Sequence, residues 1–504
     1  MKSRLWLWGI AISLCAMVAL SSQLFAQANP QHHPRHQQYT LYDVGTFGGP
    51  ISEGSWTATS ITAAGAIGFA DTTLFDPFYP NCFFDCYVAH AYLWRRGHTT
   101  DLGALPGNNG GNSSWAWAIN NSGLVVGLSE DGNIDPDTGY PSVRPVAWLN
   151  GHIFNLGGFG GTQNFANMVN DRGQIVGASS NKVLDPYAFA PVFPSTTQVR
   201  AFVWEGGWMR DIGTLGGPDA MPVTIAQSGV VVGFSYTSFT PNPDSGVPTI
   251  DPFLWDGRRM IDLGGFGGTY GRAEWVNNNG QVVGYSDLPG DLSSHGFLWD
   301  HGVLRELLPL AGMTDSFAAW INDAGTVTGE SYVPGGNGWI GSAVLWNHGQ
   351  ITALGRLPGD DEAVGISINN AQQLVGYSCL EPCNNLYVER AFLWENGDMV
   401  DLNALVQPSS DLVVANPMEI NDRGEIAAEA VLPDGTFHSV VLVPTGDCDS
   451  SCEQRIAESR NNPRAVQPMN KRIPIPRFGK PSDVLRNPFG RVPGMPGSGA
   501  FLAH

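Results

Sequence analysis

The sequence predicts an all-β protein: a β-propeller of about eight four-stranded blades, with a ring closed by the N-terminal strand. Three observations carry this prediction. Residues 39–444 repeat about every fifty residues, each repeat contains the signals of four short strands, and the two ends of the array complement each other. Seven blades is the alternative if one degenerate repeat lies outside the ring.

Two recurring segments define the repeat. An Asn-Asp-x-Gly-like turn recurs at intervals of 45 to 58 residues, at Thr62, Asn120, Asn170, Ala226, Asn277, Asn322, Asn369 and Asn421. A strand that ends in tryptophan recurs in step with it, at Trp94, Trp148, Trp204, Trp255, Trp299, Trp346 and Trp394. Repeated apolar strand positions are usually core, so we expect these rings to pack between blades rather than stack on sugars.

Turn and alternation signals divide the second repeat into four strands, A to D, at 115–119, 124–129, 144–149 and 152–156. Asn150-Gly151 between the last two is a strong hairpin signal. The meander places the short A-to-B and C-to-D turns on one face. The long, irregular B-to-C and D-to-A connections lie on the other face, where we expect binding residues.

The ends of the array favour closure. Residues 39–49 have the pattern of a strand D and its glycine segment, but they precede the first strand A. The eighth repeat stops after its strand C, at 439–444. We therefore predict that the N-terminal strand completes the last blade, which hides both open edges.

The N-terminus has the features of a Sec signal peptide. Lys2 and Arg4 precede an apolar run, and Ala26-Gln27-Ala28 offers a small-residue cleavage site. We expect a secreted, periplasmic or extracellular protein that is cleaved near Ala28. The predicted parts are a signal peptide (1–28), a flexible N-terminus (29–38), the propeller (39–446) and a disulfide-bearing, Pro- and Arg-rich disordered tail (447–504).

The formal charge of −20 is unevenly distributed. Residues 29–452 carry −28, whereas residues 453–504 carry +6. An acidic body repels nucleic acid, so we expect no nucleic-acid partner. No second apolar run approaches the ~18 residues that a membrane helix needs. We therefore expect no membrane span. We also expect a monomer.

Six cysteines outside the signal peptide form three pairs with the same spacing: Cys82 and Cys86, Cys379 and Cys383, Cys448 and Cys452. An even number in an exported chain favours three local disulfides. Zinc binding is the alternative, although a zinc site usually needs four ligands and no single pair supplies them.

The strand C motifs His90-Ala91-Tyr92, Arg200-Ala201-Phe202 and His295-Gly296-Phe297 resemble the HAF repeat, as do the flanking segments 170–177 and 211–217. The resemblance to extracellular repeat proteins of the HAF family covers about residues 39–444. It implies a secreted bacterial protein, and it brings no activity, substrate or catalytic residue. The pattern departs from the family at Ala226-Gln227, at 306–310 and in the last repeat.

Two sets of residues are candidates for ligand contacts. The aromatic residues Trp115, Trp117, Trp275 and Trp320 lie where strand A approaches the ring axis. They could stack on a sugar or peptide, although burial in the inner core is the competing interpretation. Alternate oxygen-bearing residues resemble a calcium loop, at Asp131, Asn133, Asp135 and Asp137. Pro136 and Ser142 stand where a calcium loop has Gly and Glu, so the alternative interpretation is a solvated acidic loop that binds no metal. We expect either no cofactor or Ca²⁺.

The sequence contains no His-Glu-x-x-His zinc helix, no Gly-x-Ser-x-Gly nucleophile turn and no Gly-x-x-x-x-Gly-Lys phosphate loop. The leading hypothesis is a non-enzymatic module that binds an extracellular polysaccharide or exported protein on the B-to-C and D-to-A loops. The alternative is an extracellular glycan hydrolase or lyase with paired loop carboxylates drawn from Asp71, Asp76, Asp85, Asp131 and Asp135. A structural surface protein whose basic tail binds anionic envelope polymers is a third hypothesis.

Overall fold

The computed structural model describes residues 36–55, 59–79, 81–82, 85–107, 112–189, 194–334, 339–380 and 389–461. These residues form a ring of eight antiparallel sheets, each ordered A to D from the axis outwards. The predicted eight-bladed propeller is therefore confirmed. Blade 1 differs only in having a short additional strand beside its second strand.

The strands follow one another around the ring after the closing strand β1 (Gln37–Asp43). Blades 1 to 4 consist of β2 (Gly48–Gly54), β3 (Ile61–Thr62), β4 (Gly65–Phe75), β5 (Tyr87–Arg95), β6 (His98–Asp101); β7 (Ser114–Ile119), β8 (Val125–Ile134), β9 (Pro141–Leu149), β10 (His152–Asn155); β11 (Asn164–Val169), β12 (Ile175–Leu184), β13 (Thr197–Glu205), β14 (Trp208–Asp211); and β15 (Ala220–Ile225), β16 (Val231–Tyr236), β17 (Ile250–Trp255), β18 (Met260–Asp262). Blades 5 to 8 consist of β19 (Gly271–Val276), β20 (Val282–Asp287), β21 (Ser294–Asp300), β22 (Val303–Leu307); β23 (Asp315–Ile321), β24 (Val327–Pro334), β25 (Trp339–Asn347), β26 (Gln350–Gly355); β27 (Glu362–Ile368), β28 (Leu374–Cys379), β29 (Glu389–Glu395), β30 (Asp398–Asp401); and β31 (Val413–Ile420), β32 (Ile426–Val431), β33 (Phe437–Asp447).

The ring closes as the sequence predicts. Strand β1 pairs antiparallel with β33, from Gln37 opposite Asp447 to Asp43 opposite Val440. The first strand thus becomes the fourth strand of the last blade. Because β1 covers the outer edge of β33, the last blade has the same four-strand order as an ordinary blade.

Glycine in the Val-Val-Gly motif of strand B lets the strands approach closely. At Gly177, an added Cβ would lie 2.0 Å from the Phe165 carbonyl oxygen and 2.7 Å from the Phe202 ring. Phe165 precedes a bulge in strand A, and Phe202 is the phenylalanine of the Ala-Phe motif on strand C. The two motifs are therefore linked because the ring fills the space that the missing side chain leaves.

The strand C tryptophans pack between blades, as predicted. Trp148 lies in a cluster that combines blades 1 and 2, and Trp346 lies in one that combines blades 5 and 6. The Trp148 indole N–H also donates to the carbonyl oxygen of Gly103, which belongs to the connection between its two blades (3.2 Å). These rings are consequently part of the scaffold.

The first residue of the strand C motif makes a polar contact with the acidic residue at the end of strand D. His90 contacts Asp101 at 2.9 Å, and Arg200 contacts Asp211 at 3.0 Å. The same pair recurs at the closure, where His438 of β33 contacts Asp43 of β1 at 2.9 Å. The closing strand therefore reproduces the side-chain pairing of an ordinary blade.

The repeated turn asparagines connect neighbouring blades through what we call the asparagine ring. In each case the Nδ2 group donates to the main-chain carbonyl of the equivalent residue in the next blade, over 2.9 to 3.2 Å, at Asn120, Asn170, Asn277, Asn322 and Asn369. Arg423 continues the pattern to Thr62 of blade 1 (3.0 Å). Ala226 has no side-chain amide, so blade 4 cannot make this bond to blade 5.

The residues after the last strand contradict part of the predicted disordered tail. Helix α1 (Ser450–Asn461) packs through Cys452 and Ile456 against the 3-10 helix Leu402–Leu405 and the core of blade 8. The Asp449 carboxylate caps its first turn by accepting from the Cys452 N–H. Within the predicted tail the first proline is Pro463, so the residues before it can form a helix. The Pro- and Arg-rich composition of the tail as a whole concealed this segment. Residues 462–504 lie outside the described residues, as do the predicted signal peptide and most of the flexible N-terminus.

Helix α1 and the residue that precedes β1 meet at a buried histidine. His36 Nδ1 lies 3.1 Å from Glu395, and Nε2 lies 3.1 Å from Asp398, which also accepts from Arg460. Burial alone would lower the pKa of His36, but the hydrogen bonds to Asp398 and Glu395 raise it to about 9. A charged histidine therefore fastens β1 to blade 7 next to the helix.

Candidate functional site

The face formed by the B-to-C and D-to-A connections, here called the loop face, is asymmetric. Blades 1 to 3 carry long B-to-C hairpins in which strand B shifts register and then pairs again with strand C. The residue at this second pairing is Phe75, Ile134 or Leu184, and we call these three residues the hairpin tips. Three successive blades thus have the same register shift at the same place in the pairing of strands B and C.

Each hairpin tip is followed by Asp-Pro, and the aspartate organises the loop. The Asp76 N–H donates to Cys86, that of Asp135 to Tyr140, and that of Asp185 to Thr196. One carboxylate oxygen in each case accepts from the N–H two residues later, at 2.8 to 2.9 Å. These are Asx turns, in which proline supplies the fixed backbone angle that follows. The hairpins are therefore locally built structures.

The tips are exposed although their side chains are apolar. The exposed fraction is 72% for Phe75, 54% for Ile134 and 75% for Leu184. Phe75 also stacks on Tyr87 of the opposite strand, with ring centroids 4.7 Å apart. Leu74, Tyr79 and Val183 add further exposed apolar surface beside the tips. Large apolar side chains grouped on one rim are typical of interaction surfaces.

The second oxygen of each hairpin aspartate faces a different environment. Asp135 Oδ2 accepts from the Thr162 hydroxyl of the next blade. The corresponding oxygens of Asp76 and Asp185 accept no ordinary hydrogen bond from the described residues. Instead, Asp76 lies near the Glu130 carboxyl, and Asp185 lies near the Asp219 carboxyl, both belonging to the next blade. Carboxyl groups therefore meet where blades 1 and 3 contact their successors.

Burial and like charge keep several of these groups protonated near neutral pH. Burial, reinforced by the charge of Asp76, raises the pKa of Glu130 to about 8. Burial outweighs the lowering by two backbone N–H groups and, with Asp185, raises the pKa of Asp219 to about 8. Burial and the neighbouring Asp85 raise the pKa of Asp71 to about 9. Carboxyl groups that would repel one another once ionised thus lie beneath the hairpins.

The four candidate tryptophans do not form one site. Trp115 is buried and packs against Phe69 of blade 1, with ring centroids 6.2 Å apart. Trp117 is half-buried against Phe165 of blade 3. Trp275 and Trp320 stack on each other, at 3.9 Å and 19°, on blades 5 and 6. The burial interpretation describes Trp115, whereas the other three rings keep partly exposed surface near the axis.

The calcium-like residues are spread along one hairpin. Asp131 forms an ion pair with Arg144 (2.6 Å) and accepts from Asn133, while Asp135 belongs to the Asx turn, and Asp137 is exposed. Across the part of the chain that the structure describes, no group of three or more His, Cys, Asp or Glu side chains is arranged to hold a metal ion. Calcium binding at these four residues stays a prediction.

The carboxylates of the hydrolase alternative are mostly not on the surface. The Asp71 side chain is buried beside Asp85, and Asp76 and Asp135 are buried in their Asx turns. A glycan bound across two carboxyl groups must touch both of them. The geometry brings carboxyl groups together in pairs, but it places at least one member of each pair beneath the surface.

Two predicted disulfides are confirmed. Cys82 is bonded to Cys86 in the blade 1 hairpin, and Cys448 is bonded to Cys452 at the start of helix α1. Cys383, the predicted partner of Cys379, lies outside the described residues. The first bond fixes the hairpin beside Asp76, whose N–H donates to the Cys86 carbonyl. The helices within the described ranges include none that is long and apolar enough to cross a membrane.

No family model matches the chain, and no curated protein matches it either. Solved structures of similar fold include the acylaminoacyl peptidase of Pyrococcus horikoshii, at 11% identity and a TM-score of 0.39, over 65% of this chain and 50% of that one. The propeller domain of the trilobed protease from Pyrococcus furiosus has 9% identity and a TM-score of 0.39, over 71% and 99%. Dipeptidyl peptidase 4 of Porphyromonas gingivalis has 11% identity and a TM-score of 0.40, over 73% and 56%.

The chain thus spans half the length of the Pyrococcus horikoshii enzyme, and these likenesses concern the propeller fold alone. The ring of eight antiparallel sheets itself defines the class of protein as a β-propeller. The neighbours' peptidase activities say nothing about this chain.

Proposed function

We propose that this protein is an exported β-propeller binding module that captures an extracellular protein or polysaccharide on its loop face. The observation that carries the proposal is the set of hairpin tips, Phe75, Ile134 and Leu184. Three blades expose an apolar side chain at the same position, on hairpins that Asx turns hold in place. Exposed apolar side chains on well-defined hairpins are usually covered by a binding partner.

The chemistry of the tips favours a protein partner over a glycan. Two of the three tips are aliphatic, and the exposed neighbours Leu74 and Val183 are aliphatic as well. Sugar rings stack best on aromatic faces, and among the described residues of the three hairpins the exposed aromatic side chains are Phe75 and Tyr79, both on blade 1. An apolar segment of an exported protein therefore fits the surface better.

We also propose that this chain belongs to the HAF family. The support is that the linked motifs have a joint structural role: the His or Arg of strand C pairs with the acidic residue of strand D. The two local disulfides and the absence of a membrane helix from the described residues are consistent with export.

A triple substitution tests the proposal. Ligands are first selected with the full-length protein from displayed peptides and from soluble polysaccharides. Binding of each ligand is then compared between the parent and a Phe75→Ser, Ile134→Ser, Leu184→Ser variant. Burying one such side chain contributes roughly 1.5–3 kcal/mol, so each tip that is contacted should weaken binding about tenfold or more.

The matched control is Trp208→Ser. Trp208 is 81% exposed on the C-to-D turn of blade 3, on the face opposite the hairpins. Equal losses in both variants, or unchanged binding in the triple variant, would count against the loop face. Selection of glycans alone would replace the protein partner with a polysaccharide.

A further inference from the structure

The basic end of this chain is chemically complementary to the loop face. Residues 462–504 contain seven Lys or Arg and one Asp, although residues 29–452 carry −28. Their basic groups alternate with apolar ones around Ile473, Ile475 and Phe478. A segment of this kind offers cations to carboxylates and apolar side chains to the hairpin tips at the same time.

The loop face offers the matching groups. Asp137 is exposed on the blade 2 hairpin, and Asp85 is half-buried on the blade 1 hairpin, close to Phe75 and Ile134 in the chain. Below them lie Asp71, Glu130 and Asp219, buried carboxyl groups whose pKa values are raised by burial and by neighbouring acids. A cation bound above would relieve this repulsion.

The basic segment is long enough to reach this surface. Helix α1 ends at Asn461 beside blade 7, where Arg460 contacts Asp398, and 43 residues follow. A flexible Gly-rich chain of that length would have an end-to-end distance of about 35 Å, and a proline-containing one is more extended, while a folded domain of this size has a radius of gyration of about 22 Å. Tethering also gives a segment an effective concentration of the order of millimolar.

We infer that residues 462–504 of this chain occupy the acidic, apolar loop face around the hairpin tips in the same molecule. The inference rests on the proposed function, because it names the chemistry of that site's ligand: a cationic, apolar, proline-containing segment. An external partner then binds by displacing the chain's own end, so the tethered segment sets the threshold for capture.

Zero-length cross-linking of the full-length protein with a carbodiimide tests this inference. After the predicted signal peptide, lysine occurs only at positions 182, 471 and 480. We expect bonds from Lys471 or Lys480 to Asp85 or Asp137 in the monomer fraction, identified by peptide mass spectrometry. They should disappear at 1 M salt, where the Debye length falls to about 3 Å. Lys182, exposed on the blade 3 hairpin, reports whether the reagent works.

A second measurement uses the protons on the buried acids. A full-length Lys471→Gln, Arg472→Gln, Arg477→Gln variant removes three positive charges from the segment that we infer to lie over Glu130 and Asp219. We expect the variant to hold protons to higher pH than the parent in a potentiometric titration between pH 6 and 9. The matched control, Arg486→Gln with Arg491→Gln, removes charge farther along the segment and should shift the titration less.

Three outcomes overturn the inference. These are cross-links only between two copies of the chain, cross-links to turn-face acids such as Asp171 and Asp422, and no lysine 471 or 480 cross-links while Lys182 reacts. The proposed function is judged separately, because its test reads ligand binding by the hairpin tips. If the tips bind a selected ligand and the cross-links are absent, the inference fails alone.

Discussion

The Asn322→Ala substitution tests the asparagine ring as the device that joins the blades. Asn322 Nδ2 donates to the Asn369 carbonyl oxygen of the next blade (3.0 Å). Its Oδ1 accepts from the N–H groups of Ala324 (3.1 Å) and Thr326 (3.0 Å), so one side chain shapes its own turn and holds a neighbour. Alanine removes all three hydrogen bonds and leaves the backbone angles accessible.

The expected cost follows from that count. A net contribution of about 0.5–1.5 kcal/mol per hydrogen bond gives, for three bonds, a loss of about 1.5–4.5 kcal/mol. The Asn322 side chain is nearly inaccessible, and Thr326 is 3% exposed, so water replaces the lost partners poorly. The reciprocal change, Ala226→Asn, supplies the missing donor between blades 4 and 5 and should stabilise by about 0.5–1.5 kcal/mol.

Urea midpoints and amide hydrogen exchange measure the global and the local effect of the substitution. The midpoint reports the whole ring, while exchange at residues 324–326 reports the turn and should accelerate at least about tenfold for a loss of 1.4 kcal/mol. Asn347→Ala is the control, since Asn347 is an exposed asparagine in the same blade. If Asn322→Ala and Asn347→Ala had equal midpoints, the Asn322 side chain would contribute measurably neither to cohesion between the blades nor to the stability of its turn.

Two pH predictions concern groups at opposite sides of the ring. The pKa of His36 is raised to about 9, so its stabilisation should be complete below about pH 6.5 and lost as the pH rises through 9; His36→Gln should flatten the decline in urea midpoint over that range. The pKa of Glu130 is raised from 4.5 to about 8, so the folded state holds an extra proton and stability should fall as the pH rises between those values. Glu130→Gln should remove that decline, whereas Glu205→Gln on an exposed turn should retain it. A decline that persists in the His36 or Glu130 variant would show that another group titrates.

The repeat made the architecture predictable because each strand depends on local signals and on equivalent neighbours. Blade number, closure by β1 and packing of Trp148 and Trp346 between blades were all predicted. The role of the turn asparagines was predicted only in part. Their effect on the turn follows from local chemistry, but the acceptor of Nδ2 is a carbonyl about fifty residues away, and its position is set by how blades pack.

The loop face was harder to predict for the same reason. Asp-Pro recurs after Phe75, Ile134 and Leu184, and this signal was available in the sequence. What the sequence could not supply is that Glu130 and Asp219, remote along the chain, lie next to two of those aspartates. Likewise, the constant eleven-residue interval between His90 and Asp101, or Arg200 and Asp211, indicates a pair only once strands C and D are known to be adjacent.

The differences between the blades locate the specific chemistry of this ring. Positions that most blades share, such as the glycine at 177 and its equivalents in seven of the eight blades, are explained by close approach between strands. Positions that only an arc of the ring shares are not needed for closure, because blades 4 to 8 close without them. The Asp-Pro hairpins belong to that second group, and they bring exposed apolar tips and buried acids together on blades 1 to 3. Since the scaffold does not require them, their cost in exposed apolar surface and raised pKa values is best explained by a ligand that approaches the ring from this side.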